Sequence, residues 1–132
     1  MATTDEAVRS LGGTREVPVT EFPFRVGRES RSPDADRKEF TELRLRVAPE
    51  LNDLYLLEPR WSDILQISRE HFALESAGDR FVLVDRKSAC GTIVAGTVVG
   101  GNRAGGRTEL RHGDVITVGT AGSEYIFRFE AR

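Results

Sequence analysis

Apolar residues along this chain come in short runs separated by turn residues, and many of the runs alternate with polar positions. Leu43-Arg44-Leu45-Arg46-Val47 and Tyr125-Ile126-Phe127-Arg128-Phe129 place every second side chain on one face. That period of two, in segments rich in β-branched and aromatic residues, predicts half-buried strands. Further runs fall at Val17–Thr20, Phe22–Val26, Leu54–Leu57, His71–Glu75, Phe81–Val84, Thr92–Val94, Thr97–Val99 and Val115–Val118. Between them lie turn formers: Gly12-Gly13, Ala77-Gly78-Asp79, Gly100-Gly101-Asn102, Gly105-Gly106, His112-Gly113-Asp114 and Ala121-Gly122-Ser123. Many short strands joined by tight turns predict an all-β sandwich. Ala48–Leu54 and Trp61–Ile67 each have room for one helical turn.

One segment breaks the rhythm. Between Glu29 and Leu51 the chain carries Pro33, Pro49 and a dense mixture of acids and bases. Its first half, Glu29–Lys38, has little to bury and reads as a flexible loop, while Leu43–Val47 reads as a strand. Residues 29–51 are therefore expected to form an insertion in one domain that spans 1–132, with its core at about 7–129.

Composition narrows the function. With 132 residues, 39% hydrophobic and 30% charged, the chain has the size and balance of one globular domain. A net charge of −2 argues against a nucleic-acid partner, which calls for a basic excess. The stretch Met1–Leu11 carries Asp5, Glu6 and Arg9 and no apolar centre, so no signal peptide is expected. No apolar run is long enough to span a membrane, so no membrane partner is expected. Cys90 is the single cysteine, which excludes an intrachain disulfide and favours the cytoplasm. His71, His112 and Cys90 form no metal-ligand spacing, and no nucleophile-elbow, Walker or dinucleotide pattern occurs. Neither cofactor nor enzymatic activity is expected.

Three spaced signals remain, all at strand ends. Gly27-Arg28 follows Phe24-Arg25-Val26. Ser68-Arg69-Glu70-His71 opens the strand at Phe72. Asp85-Arg86-Lys87-Ser88-Ala89-Cys90-Gly91-Thr92-Ile93-Val94-Ala95-Gly96 connects two further runs. Together they put a hydroxyl and several cations on loops, the groups a phosphate dianion requires. Arg86 and Lys87 themselves read more readily as a solvated turn than as ligand contacts, and Trp61 as a packing residue.

The ordered set resembles the signature of forkhead-associated (FHA) domains: a Gly-Arg pair, a Ser-x-x-His motif, and a Ser-x-Asn-Gly-Thr-x-Val-Asn-Gly block. Asn52–Leu56 resembles the strand before Ser-x-x-His, and His112–Gly119 with Tyr125–Phe129 resembles the family's last strands. The resemblance implies an FHA-type (SMAD/FHA-like) β-sandwich of about eleven strands. It also implies a non-catalytic module that recognises phosphothreonine in a partner protein or peptide, as an adaptor among Ser/Thr kinase pathway components. A bacterial origin is a further family expectation.

By position, the resemblance assigns Arg28 to clamp the phosphate, Ser68 to donate its hydroxyl, and Arg69 to a further phosphate or peptide contact. Ala89 and Cys90 occupy the positions of a polar phosphate contact and of the asparagine that holds the peptide backbone. Gly27, His71, Gly91 and Thr92 support the loops. The sequence departs from the family at Ala89, Cys90 and Ala95, and between Arg28 and Asn52 it is longer than the family's spacing. Phosphate capture is thus expected to be intact and peptide-backbone capture altered. The rival reading is an FHA fold that binds its partner independently of phosphorylation.

Overall fold

The computed structural model describes residues 1–29, 52–59 and 65–131. Within them one short helix, α1 (Asp5–Ser10), precedes nine strands: β1 (Phe24–Arg28), β2 (Leu54–Leu56), β3 (Phe72–Ala77), β4 (Arg80–Asp85), β5 (Thr92–Val94), β6 (Thr97–Val99), β7 (Gly106–Leu110), β8 (Val115–Val118) and β9 (Ile126–Arg128). They form two sheets, ordered β2-β1-β3-β4-β7 and β6-β5-β8-β9. The sandwich expected from the alternation is present.

Alternation explains the inward faces. In β8, Ile116 and Val118 are buried while Val115 is exposed, and in β6 only Val99 turns inward. Val26, Leu56, Phe72, Leu74, Leu83, Leu110, Ile116 and Val118 meet in one core. Each such side chain removed from water contributes about 1.5–3 kcal/mol. β3 lies mid-sheet, which is why Phe72, Ala73 and Leu74 are all buried in sequence.

Pairing is antiparallel throughout except between β1 and β2, which run parallel with Gly27 opposite Tyr55. A parallel pair cannot be closed by a hairpin and needs a crossover of a dozen residues or more. The segment between Arg28 and Leu54 is that crossover. The insertion read at 29–51, the strand at Leu43–Val47 and Trp61 lie outside the described residues, Glu29 apart.

Four local expectations differ from the structure. Val17–Thr20 forms no strand. β7 occupies Gly106–Leu110, where a turn was read at Gly105-Gly106 and no strand after it; Phe81 to Asp85 of β4 pair with it. Residues 5–10 form α1, capped by the Thr4 hydroxyl, which accepts the Ala7 N–H at 3.1 Å. Thr4 followed by Asp5 and Glu6, with Gly12-Gly13 beyond, carries the signal for this helix. Of the two helical turns, Asn52–Leu54 and Leu65–Ile67 are not helical, and the rest lies outside the described residues. Among the described residues, no helix is long and apolar enough to cross a membrane.

Strand direction determines what gathers at each end. The C-terminal ends of β1, β4, β6 and β8 lie with the N-terminal ends of β3, β5 and β7, because Val26 pairs with Phe72, Asp85 with Gly106, and Thr92 with both Val99 and Val118. One end of the sandwich therefore collects the loops around Gly27-Arg28, Ser68–His71, Asp85–Gly91 and Gly100–Gly105.

Candidate functional site

Gly27 and Arg28 end β1 against the Ser68 loop. The Arg28 backbone N–H donates to the Ser68 carbonyl at 2.8 Å, and its Nη1 donates to the Ile67 carbonyl at 3.2 Å. One of the five guanidinium N–H donors is thereby directed at the segment that carries Ser68. Gly27 is required by space: a Cβ there would stand 1.8 Å from the Arg69 carbonyl oxygen and 2.6 Å from Asn52 Nδ2.

Ser68 stands at the meeting of two loops. Its Oγ accepts the Ala89 N–H at 3.0 Å. A hydroxyl has one proton and two lone pairs. With a lone pair engaged and no acceptor for its proton among the described residues, Ser68 keeps that proton for another group. Ala89 and Arg69 are exposed on either side.

His71 lies behind this edge and is fully buried. Its Nδ1 accepts the Ser68 N–H at 2.9 Å, so the ring proton sits on Nε2, which donates to the Gly91 carbonyl at 2.7 Å. Burial holds its pKa below the ordinary 6.5, and the ring is neutral. The imidazole thus ties the Ser68 loop to the Gly91 loop.

A second buried hub shapes the Gly91 loop. Asp85 Oδ1 accepts the Ser88 N–H at 2.9 Å, and its Oδ2 accepts the hydroxyls of Ser88 at 2.6 Å and Thr92 at 3.0 Å. Ser88 Oγ in turn accepts the Gly91 N–H at 3.0 Å. Gly100, held at φ +76°, crosses so near that a Cβ would fall 2.4 Å from Asp85 Cγ. The Asp85 carboxylate accepts from the backbone three residues on, a local side-chain-to-backbone bond that Asp makes readily in turns.

Two further supports also escape a motif reading. Asn52 is buried and donates from Nδ2 to the Arg69 carbonyl at 2.6 Å; its Oδ1 accepts Arg86 Nη1 at 2.7 Å. Arg86 Nη2 donates to Glu70 Oε1 at 3.1 Å. Arg86 is thus a half-buried strut and not the solvated turn residue its sequence context predicts; Lys87 beside it is exposed. Glu58, buried, accepts the N–H groups of Gln66 at 2.8 Å and Ile67 at 2.9 Å, fixing the approach to Ser68. Cys90 is half-buried, its thiol 3.5 Å from the Leu65 carbonyl.

The structure brings together Arg28, Ser68, Arg69, Ala89 and Cys90 at one loop edge, with Gly27, His71, Gly91 and Thr92 behind it. The family model for the FHA domain matches residues 50–119, more than half of the chain. The chain belongs to the FHA domain family. The matched stretch begins after Arg28, so it is the β1–β3 pairing that brings Gly27-Arg28 to the Ser-x-x-His loop.

Among solved structures, the chain is similar to Mycobacterium tuberculosis EmbR in complex with a low-affinity phosphopeptide, at 20% identity and a TM-score of 0.51 over 86% of this chain. It spans 21% of the EmbR chain. It also matches the FHA domain of the CT664 protein from Chlamydia trachomatis, at 19% identity and a TM-score of 0.45, over 78% of this chain and 73% of that one. A third match is the FHA-2 domain of the Mycobacterium tuberculosis ABC transporter Rv1747, at 21% identity and a TM-score of 0.41, over 90% and 88% of the two chains. No curated protein sequence matches the chain.

Proposed function

We propose that this FHA domain binds phosphothreonine peptides at the loop edge around Ser68, without catalysis, and acts as a cytoplasmic adaptor in Ser/Thr kinase signalling. One observation carries the reading: the Ser68 hydroxyl is oriented by Ala89 and retains its proton, while Arg28 is hydrogen-bonded to the Ser68 backbone beside it. A phosphate with roughly −1.5 to −2 charge accepts both the hydroxyl proton and the guanidinium fork. Arg69 adds a third donor group from the same loop.

The test is titration of the intact chain with one peptide in phosphothreonine, phosphoserine and unphosphorylated forms, repeated with Arg28→Ala. Wild type is expected to bind the phosphothreonine form preferentially, and Arg28→Ala to lose about 2–5 kcal/mol while remaining folded. Unchanged affinity in a folded Arg28→Ala overturns the clamp.

A phosphorylation-independent mode is the second reading. It is favoured by Cys90, whose side chain faces Leu65 and supplies no amide for a peptide backbone. Binding of a natural partner that persists after phosphatase treatment of that partner supports it.

A further inference from the structure

Among the described residues, β6 (Thr97–Val99) is an edge of the four-stranded sheet and is hydrogen-bonded to β5 on one side. The Ala95 N–H donates to the Val115 carbonyl and the Gly119 N–H to the Gly91 carbonyl, both at 2.9 Å. The odd-numbered residues of this stretch thus turn their peptide groups toward β8. The even-numbered Thr92 and Val94 turn theirs toward β6, where they pair with Val99 and Thr97. Val98 stands opposite Ile93, between those two pairs. Antiparallel geometry therefore directs its N–H and C=O off the sheet.

The side chain of Val98 is as open as its backbone, at 67% exposed. Register continues it into a row on the outer face: Val98, Ile93, Thr117 and Ile126 stand side by side across β6, β5, β8 and β9. All four are β-branched, and Val115, two residues from Thr117 on the same face, is 44% exposed. β5, β6 and β8 carry no charged residue. Proteins guard free edges with charges, prolines or a covering segment. β7, an edge of the other sheet, has Arg107 and Glu109. β9, the opposite edge of the same sheet, is covered by the start of the chain: Ala2 bridges to Phe127, and the Thr3 N–H donates to the Ile126 carbonyl at 2.9 Å. β6 has neither guard among the described residues, and a contiguous exposed apolar surface marks an interaction site.

We infer that β6 pairs with β6 of a second copy of this chain, antiparallel about a two-fold axis at Val98, joining the two four-stranded sheets into one. A two-fold interface sets each residue near its axis against its own copy. A charge there would meet itself, and like charges directly opposite on paired strands are destabilising. The uncharged β5, β6 and β8 meet that condition. A foreign peptide imposes no such restriction, so the missing charges favour a second copy. At the axis the two Val98 residues exchange both N–H···O=C bonds, and the apolar rows of the two copies become continuous. The C-terminal end of β6 lies at the Ser68 end of the sandwich. Antiparallel pairing therefore puts the two loop edges at opposite ends of the joined sheet, where each stays open to its own ligand.

A three-residue edge makes a contact smaller than the ~800 Å² per partner of a standard interface, so association is weak, with a Kd on the order of 100 µM. Sedimentation equilibrium of the intact chain from about 10 µM to about 1 mM measures it. Val98→Lys and Val98→Glu each set like charges opposite one another across the axis and should weaken self-association at least about fivefold. Because position 98 faces itself, an equimolar mixture of the two variants should recover association to within about twofold of wild type. Matched melting curves check that both variants fold, as expected for so exposed a position. Wild type that stays monomeric at about 1 mM overturns the proposal and leaves the edge to another kind of partner. Unchanged self-association in both variants overturns it as well, since a different surface then makes the contact. Loss in each variant with no recovery in the mixture overturns the two-fold pairing at Val98, and with it the inference. None of these outcomes bears on the phosphothreonine reading.

Discussion

Gly27 lies directly under Arg69, with room for no more than a hydrogen: a methyl group at position 27 would stand 1.8 Å from the Arg69 carbonyl oxygen. The obstructing atom belongs to the backbone, so relief requires moving the Ser68 loop. That contact sets the distance between the end of β1 and the loop that carries the serine. Gly27→Ala should therefore cost about 3 kcal/mol, the upper end for overpacking, and shift Arg28 away from Ser68. Thermal unfolding and phosphopeptide titration should fall together; a variant as stable as wild type shows that the loop accommodates the methyl and is not held by this contact.

His71 makes stability pH-dependent. The unfolded chain takes up a proton at His71 near pH 6.5, while the folded chain does so only at lower pH, because burial lowers the pKa and Nδ1 is already occupied by the Ser68 N–H. In that window the unfolded state binds more protons, so the contribution of His71 is complete above pH 6.5 and declines as pH falls toward the folded pKa. Melting curves between pH 7.5 and 5 should show a larger loss in wild type than in His71→Gln. His71→Ala should lower stability at neutral pH by about 2–4 kcal/mol, through two lost hydrogen bonds and the void left behind. A stable His71→Ala that cannot bind would show instead that His71 touches the ligand.

Ser68→Ala separates binding from folding. The Ala89 N–H that Ser68 satisfies is exposed, and water replaces the serine oxygen there. Stability should therefore change by less than about 1 kcal/mol. Affinity for a phosphothreonine peptide should drop by roughly 1–3 kcal/mol, the range for a hydrogen bond to a charged group. Isothermal titration with a matched melting curve checks both halves, and a loss of stability without a loss of affinity would reverse the assignment.

Cys90→Asn should strengthen binding. An asparagine offers one acceptor and two donors where the thiol offers a weak one of each. Two hydrogen bonds to a peptide backbone contribute about 1–3 kcal/mol in sum. The gain depends on the amide leaving the Leu65 carbonyl, which the thiol now faces at 3.5 Å. Affinities of the two proteins for one phosphopeptide, with its unphosphorylated form as the blank, measure it. No gain would mean that the peptide does not run across position 90.

The strands and the motif residues were legible in the sequence because each is written locally. Alternation marked β8 and β9, turn residues bounded β5 and β6, and Gly27-Arg28, Ser68–His71 and Gly91-Thr92 stood out as an ordered set at strand ends. β7 was not legible, since Arg107-Thr108-Glu109-Leu110 buries only Leu110 and owes its strand geometry to pairing with β4. The roles of Asn52, Glu58, Asp85 and Arg86 depended on partners distant in sequence, or on an ordinary turn motif whose burial comes only with the fold. Arg86 is the clearest case: beside Lys87 it looks like a turn cation, and only the approach of Asn52 and Glu70 makes it a strut. The sequence by itself determined which residue types stand at which strand ends. Tertiary structure alone decided that those ends coincide, because strand order and register are set by long-range pairing.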